Sequence, residues 1–261
     1  MIRALSTAAS GMEAQQQRLD GITNNLANVN TTAFKKDRVD FQDLLYQTVR
    51  DPGIVSGSGT KTPTGIQVGT GVKVGSIHKE FAQGPVNITS NPTDLMINGD
   101  GFFAVQRANG EVGFTRNGSF QIDKDGRLMT KHGELVQPAI TVPTNRLSFN
   151  VGSTGVVTVL VPGNPNDVEV GKLEVFNFVN PGGLSALGGS LYSPTTASGA
   201  PVQSALGQNG LGFIEQGALE AANVNVVTEM TDMIKTQRSY EMNAKVMNAA
   251  SEMLSTVNNL K

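Results

Sequence analysis

Hydrophobic residues recur every seven positions at both ends of the chain. Near the start the recurring residues are Leu5, Met12, Leu19 and Leu26, joined by Ile22 and Val29. Near the end they are Val226, Met233, Tyr240, Met247 and Leu254, joined by Met230, Ala244, Ala250 and Val257. Residues seven apart lie on one side of an α-helix. The pattern predicts helices over residues 2–29 and 224–260, each with an apolar seam that needs a partner.

The middle of the chain carries turn signals instead of a helical period. Four dipeptides that tolerate positive φ angles follow one another: Asn109-Gly110, Asn117-Gly118, Asp125-Gly126 and His132-Gly133. The short alternating runs between them predict a meander of antiparallel strands. Further strands are predicted at 139–142, 147–151, 156–161 and 173–178, and long ordered loops at 181–194 and 197–212.

Residues 34–70 have a third kind of composition. The segment begins with charged residues after Phe34 and becomes rich in glycine, proline and serine after Asp51. Such a composition predicts an irregular or extended connector.

Together these segments predict an α+β fold. Residues 1–33 and 217–261 would form a discontinuous, coiled-coil-like domain of terminal helices, which brackets the connector at 34–70 and a β-rich outer domain at 71–216. The pattern leaves open whether the helices pair in parallel or antiparallel, and whether the β region is one domain or two. Two terminal seams that both need partners favour an assembly subunit over an enzyme.

The composition narrows the classes of function. Charged residues make up 16% of the 261 residues and the net charge is −2, which does not fit a nucleic-acid-binding protein. The absence of cysteine excludes disulfides and thiolate sites. The sequence contains no run of 18 apolar residues, so it predicts no membrane span. The first residues do not resemble a cleaved signal peptide. Aromatic residues are few, so we expect no large aromatic core.

No catalytic or metal-binding pattern emerges. His78 and His132 are the only histidines and lie far apart in the sequence. The Gly171-Lys172 pair is followed by Leu173, so it does not complete a phosphate-binding loop. Asp123-Lys124-Asp125-Gly126 is better explained by a hairpin turn than by a calcium loop. We therefore expect no catalytic residues, no cofactor and no metal, although a pair of carboxylates brought together by folding would escape this argument.

Two long motifs resemble the bacterial flagellar rod and hook family. The first is Ser10–Gln16 with Leu19–Thr31, and the second is Gly217–Val226 continuing to Glu241. The segments Phe41–Gly53, Gly99–Phe103 and Phe114–Phe120 fit as well, and the length is most similar to the distal-rod members. Ala33, Gly21 and Ala222 depart from the usual family residues, which are glycine, an aliphatic residue and serine, respectively.

The resemblance implies a structural subunit of a helical, tubular drive shaft that crosses the periplasm and transmits torque from motor to hook. The terminal helices would line the tube, and the β region would form its outer layer. Residues Tyr46, Asp51, Pro52, Gly53 and Pro63 would belong to the segment that distinguishes rod from hook proteins. The implied partners are further copies of the chain, other rod subunits, the hook protein and junction, the surrounding P and L ring proteins, and the flagellar type III export apparatus.

Two alternatives remain at this stage. Within the family, the chain could be a proximal rod or hook subunit. Outside it, a periplasmic peptidoglycan-acting enzyme or a β-rich binding module would also carry many short strands. The absence of a catalytic pattern and of a cleavable signal favours the rod subunit over the enzyme and over the binding module.

Overall fold

The computed structural model describes residues 2–52, 64–163, 166–208 and 210–259. The chain divides into two compact units. The first comprises Met1–Ala27, Asp37–His78 and Asn225–Lys261, and the second comprises Asn28–Lys36 and Lys79–Val224. Most of the predicted β-rich region, residues 79–216, falls in the second unit, and residues 71–78 fall in the first. These bounds differ from the predicted three parts, because most of the connector falls in the same unit as the helices.

The first unit holds both predicted helices, which confirms the α+β class. They are α1 (Ile2–Ala27) and α2 (Val226–Asn259). The side chain of Asn225 caps α2, because its Oδ1 accepts hydrogen bonds from the backbone N–H groups of Val227 and Thr228 at 3.1 and 3.2 Å. After Ala27 the chain turns, and the N–H of Thr31 bonds to the carbonyl of Asn28 at 3.0 Å. Val29 consequently lies outside α1, so its predicted place in the helix was wrong.

Four strands complete the first unit. They are β1 (Asp37–Asp43), β2 (Gln47–Arg50), β3 (Ile66–Val68) and β4 (Val72–Lys79). Strand β1 pairs with β4, and β2 pairs antiparallel with β3. The described part of the predicted connector is thus extended but paired, which we call the arm (residues 37–52 and 64–78).

The second unit contains sixteen strands and one 3-10 helix, at Pro181–Gly183, among its described residues. The strands are β5 (Val86–Ile88), β6 (Leu95–Asn98), β7 (Phe102–Gln106), β8 (Val112–Thr115), β9 (Phe120–Ile122), β10 (Leu128–Thr130), β11 (Leu135–Gln137), β12 (Ser148–Val151), β13 (Val156–Leu160), β14 (Val168–Lys172), β15 (Val175–Asn177), β16 (Ser185–Gly188), β17 (Leu191–Ser193), β18 (Val202–Gln203), β19 (Phe213–Gln216) and β20 (Ala218–Glu220).

The largest sheet has nine strands and runs β16-β17-β8-β7-β11-β10-β9, with β15 joining β7 to β18. A three-stranded sheet, β12-β13-β14, and the pairs β19-β6 and β20-β5 complete the unit. Strand β7 is buried on both faces. Phe103 and Val105 enter the main core, which includes Phe120 and Val157, while Phe102 enters a second cluster on the other face.

The second cluster contradicts the expectation of no large aromatic core. It gathers side chains from six positions: Phe81, Phe102, Phe114, Phe176, Phe178 and Tyr192. Their rings meet edge to face, with centroids 5.0 Å apart for Phe114 and Phe178. Edge-to-face contacts add about 0.5–1.5 kcal/mol per pair beyond burial. Six of the fourteen aromatic residues of the chain are thus gathered in this one cluster.

Three of the four predicted hairpin turns are confirmed and one is not. Asn109-Gly110, Asp125-Gly126 and His132-Gly133 each join two paired strands, as predicted. Asn117-Gly118 does not, because β8 pairs with β7 and β17 while β9 pairs with β10. Gly118 serves a close approach instead, since a Cβ there would lie 1.7 Å from the carbonyl oxygen of Leu95.

Some strand and loop predictions were wrong. Residues 139–142 form no strand and contribute one isolated bridge, between Thr141 and Arg127. The predicted loop at 181–194 contains β16 and β17, and β14 was missed. The strands near 147–151, 156–161 and 173–178 are confirmed with shifted ends.

Candidate assembly surfaces

The helices α1 and α2 pack against each other in antiparallel orientation within the first unit. Later positions of α1 meet earlier positions of α2: Gly11 lies against Asn243, Arg18 against Asp232 and Asn25 against Glu229. The distances are 3.7 Å from Arg18 Nη2 to Asp232 Oδ2 and 3.3 Å from Asn25 Nδ2 to Glu229 Oε2. The contacts settle the orientation that the sequence left open.

Small and polar side chains form the buried faces of this helix pair. On α1 they are Ala8, Ala14, Ile22 and Asn25. On α2 they are Glu229, Thr236 and Ala250, with Asn243 half-buried on the same seven-residue line. This line is displaced by three positions from the predicted seam of α2. Little apolar area is buried within one copy as a result.

The predicted seam residues occupy a range of environments. Ile22 is buried, and seven more on the helices are half-buried: Leu5, Met12, Leu19, Leu26, Met233, Met247 and Leu254. Val29, after the end of α1, is half-buried as well. Val226, Met230 and Tyr240 are exposed. Apart from Ile22 and Ala250, which are buried, the heptad pattern marks residues beside the internal contact rather than residues at its centre.

A second apolar line on α2 was not predicted as such, although Val257, one of its members, was assigned to the predicted seam. We call it the outer stripe: Met242, Val246, Met253 and Val257. These residues follow one another at intervals of four, seven and four, so they lie on one side of the helix. Each is exposed, Met253 by 51%. Their spacing in the sequence was the available signal.

The arm exposes further apolar residues. All four residues of β2 are exposed, and Leu45 beside it is 89% exposed. Three of the predicted connector residues, Tyr46, Asp51 and Pro52, are exposed too, while Gly53 and Pro63 lie outside the described residues. The Thr70 hydroxyl donates to the carbonyl of Leu45 at 2.7 Å, which ties the two sides of the arm together.

A buried charge cluster lies in the second unit, and we call it the clasp: Lys35, Arg116 and Glu220. Lys35 Nζ donates to Glu220 Oε1 at 2.7 Å, and Arg116 Nε donates to Oε2 at 2.9 Å. The N–H of Gly84 also donates to Oε1, at 2.9 Å. The remaining donors of Arg116 reach the carbonyls of Gly99 and Gly101 at 2.7 and 2.8 Å. The buried charges are thereby paired and hydrogen-bonded.

The clasp changes the acidity of two of its members. Burial lowers the pKa of Lys35, and the neighbouring Arg116 lowers it further, against the opposing charge of Glu220. Burial alone would raise the pKa of Glu220, but Arg116 and Lys35 together outweigh it and lower that pKa. Two cations share one carboxylate, which favours the ionised form of Glu220.

No metal centre is found among the described residues. No group of three His, Cys, Asp or Glu residues among them could hold a metal ion. His78 lies on a strand, as predicted, with Nδ1 3.6 Å from Asp40 Oδ2. Over the same residues, neither α-helix combines the length and the apolar character that crossing a membrane requires.

Comparisons with known proteins match nearly every part of the chain. Three family models fit: flagella basal body rod protein at residues 5–35, flagellar hook protein FlgE/F/G D1 domain at 96–159, and flagellar basal body rod FlgEFG protein C-terminal at 215–260. The chain is 44% identical to flagellar basal-body rod protein FlgG of Buchnera aphidicola subsp. Schizaphis graminum, with all of both chains covered. Identity to FlgG of Caulobacter vibrioides is also 44% over the whole of both chains. The chain belongs to the flagellar basal-body rod protein family.

Within this family the chain is more similar in sequence to FlgG, the distal-rod protein, than to FlgF. FlgF of Caulobacter vibrioides is 34% identical over 97% of this chain and 95% of its own, against 44% for FlgG of the same organism. The chain is a structural subunit of the distal rod in the flagellar basal body, not an enzyme, and it assembles with other rod and hook components. The peptidoglycan-acting enzyme is thereby set aside.

Proposed function

We propose that copies of this chain polymerise through α1 and α2 into a helical tube that transmits torque from motor to hook. The outer stripe of α2 carries the proposal, because it is apolar, continuous and exposed in the single copy. Full burial of a Val or Met side chain contributes about 1.5–3 kcal/mol. Covering the exposed halves of four such residues would supply on the order of 3–6 kcal/mol per contact, before the costs of association.

The predicted seam residues belong to the same proposal. Leu5, Met12, Leu19, Leu26, Met233, Met247 and Leu254 are half-buried, and Met230 and Tyr240 are exposed, so a neighbouring copy has apolar surface left to cover. A contact between different surfaces of successive copies does not close on itself and generates a helical filament. In Leu26→Asp and Met233→Asp a charge would enter this contact without a partner and block growth.

The arm would add a second set of contacts between copies. Its strand β2 is exposed along its whole length, and Tyr46, Val49 and Ile66 present apolar surface there. Together with Asp51, Pro52, Gly53 and Pro63, this segment would give the rod a stiffness that the hook lacks. Removal of the arm would leave a polymer that bends more easily.

We also propose specific partners and a location, on the basis of the family. The rod would cross the periplasm, meet other rod subunits at one end and the hook protein and junction at the other, and turn inside the P and L rings. The subunit would reach the growing tip unfolded, through the flagellar type III export apparatus.

A pair of matched substitutions tests the proposed polymer. In the full chain, Val246→Asp/Met253→Asp places two charges on the outer stripe, and Leu147→Asp places one on an exposed apolar residue of the second unit. We expect concentrated wild-type protein and Leu147→Asp to sediment and to show filaments by electron microscopy, and the stripe variant to stay monomeric with unchanged circular dichroism. Filaments of normal yield from the stripe variant would contradict the proposal.

A further inference from the structure

The outward sides of α1 and α2 carry opposite charges at matching intervals. On α1, Glu13 and Asp20 are exposed and seven residues apart. Their side of the helix is opposite to that of Ala14 and Ile22, which are buried. On α2, Arg238 and Lys245 are also exposed and seven residues apart. Asp20 lies at the edge of the groove between α1 and α2 of one copy, which Gln237 and Glu241 also line, and its side chain remains exposed there.

These four charges have no ionic partner within 4 Å among the described residues. The ion pairs near them involve other side chains, such as Arg18 with Asp232 and Lys235 with Asp232. Between residues 6 and 27, α1 carries three charged residues, Glu13, Arg18 and Asp20. Arg18 is paired with Asp232 of α2, which leaves the two carboxylates. The outward side of α1 is thus acidic there, and Arg238 and Lys245 make a basic site on α2.

We propose, on the basis of the polymer proposed above, that the outward side of α1 in one copy docks on the outward side of α2 in the next copy. In a polar filament all copies point the same way, and the two helices are antiparallel within each copy. The α1 helix of one copy and the α2 helix of the next are then antiparallel too. That orientation sets Asp20 opposite Arg238 and Glu13 opposite Lys245.

The residue between each pair of charges fits this alignment. Glu241 lies three residues after Arg238 and four before Lys245. Counted backwards from Asp20, the same intervals lead through Gln17 to Glu13. The Gln17 amide would donate to the Glu241 carboxylate, so that no carboxylate faces another carboxylate.

The contact would select the register more than it would supply adhesion. Exposed ion pairs contribute little to affinity, whereas complementary charges exclude wrong partners and fix alignment. A slip of one heptad moves the helices by about 10 Å and sets Arg238 opposite Glu13 but Lys245 opposite Ser6. Such a slip loses one of the two ion pairs.

Charge reversal in the full chain tests the inference. We expect Glu13→Lys/Asp20→Lys and Arg238→Glu/Lys245→Glu each to raise the critical concentration for polymerisation at least about tenfold at low salt, because two attractive pairs become repulsive. The fourfold variant with all these changes should return to within about threefold of wild type. Lys124→Glu/Lys131→Glu, on exposed lysines of the second unit, changes the net charge as much as the α2 variant does and should polymerise normally.

Salt provides a second measurement on the same double variants. Screening weakens exposed pairs, so the difference between wild type and each double variant should shrink as sodium chloride is raised to about 1 M. Wild-type critical concentrations in both double variants, or a fourfold variant that folds but does not recover, would overturn the inference. The outer stripe variant still reports separately on the polymer itself, because loss of filaments there with normal assembly of the charge variants leaves the proposed function standing.

Discussion

Lys35 Nζ and Glu220 Oε1 are 2.7 Å apart although 185 residues separate them in the chain, and both side chains are only 1% exposed. They lie in the first and last segments of the second unit. Two backbone hydrogen bonds lie beside them. The N–H of Ala33 donates to the carbonyl of Glu220 at 2.8 Å, and the N–H of Asn223 donates to the carbonyl of Phe34 at 3.3 Å. The ion pair therefore closes this unit at the point where its two chain ends meet.

Replacing Lys35 by methionine should destabilise the second unit by about 3 kcal/mol. Removing one member of a buried ion pair costs about 3–5 kcal/mol, and Arg116, which stays with Glu220, places the effect near the lower end. The measurement is urea unfolding of the full chain, followed through the methyl signals of Leu95 and Val157, both buried in this unit.

Lys36→Met is the matched control for this prediction. The neighbouring Lys36 also pairs with a carboxylate, Glu80, at 3.2 Å, but the two side chains are 33% and 37% exposed. Partly exposed pairs contribute about 0–1 kcal/mol. Equal losses in the two variants would mean that burial of the clasp does not matter.

The second unit should lose stability in acid through Glu220. Its pKa in the folded state lies below the unfolded value of 4.5, because the two cations outweigh the effect of burial. Its contribution is complete above pH 4.5 and is lost as the pH falls through the lower folded pKa. The unfolding free energy of wild type should fall more steeply below pH 4.5 than that of Glu220→Gln. Parallel curves would remove Glu220 as the cause.

The heptad pattern predicted the helices but not the side by which they pair. Each helix carries more than one apolar line, and the internal contact uses the line of Glu229, Thr236 and Ala250, whose small and polar residues allow close approach. Hydrophobicity alone favoured the larger residues beside it. The α+β class was therefore predictable, and the alignment of α1 on α2 was not.

The clasp had no local signal in the sequence. Arg116 and Glu220 are separated by 104 residues, and a single basic or acidic residue in a strand-like run predicts a solvated side chain. Only the match to the rod family marks these positions, since Lys35, Arg116 and Glu220 lie within the three segments that the family models cover. Ala33 was a noted departure, and its φ of 56° explains why a glycine suits that position.

Gly11→Leu should loosen the helix pair by about 1–3 kcal/mol. Leucine is the better helix former by about 1 kcal/mol, so propensity alone predicts a gain. Packing opposes it, because even a Cβ at Gly11 would lie 2.9 Å from Asn243 Nδ2 and leucine adds three more carbons. Thermal unfolding, followed by the helical circular dichroism signal, measures the net effect of helix propensity and packing on stability. Ala9→Leu, on an exposed position of the same helix, should not lower the melting temperature.

Amide hydrogen exchange on the dilute protein should separate the two units. The contact between α1 and α2 buries mostly alanine and polar side chains, and helices without a large apolar contact are marginal in water. We therefore expect Leu19 and Met233 to exchange rapidly in the single copy and Phe103 and Val157 to be protected by the main core. Protection at Leu19 and Met233 should appear on polymerisation, when neighbouring copies cover the outer stripe and the half-buried seam. Strong protection of both helices at low concentration would instead mean that the internal contact alone holds them folded, and that assembly adds no folding of its own.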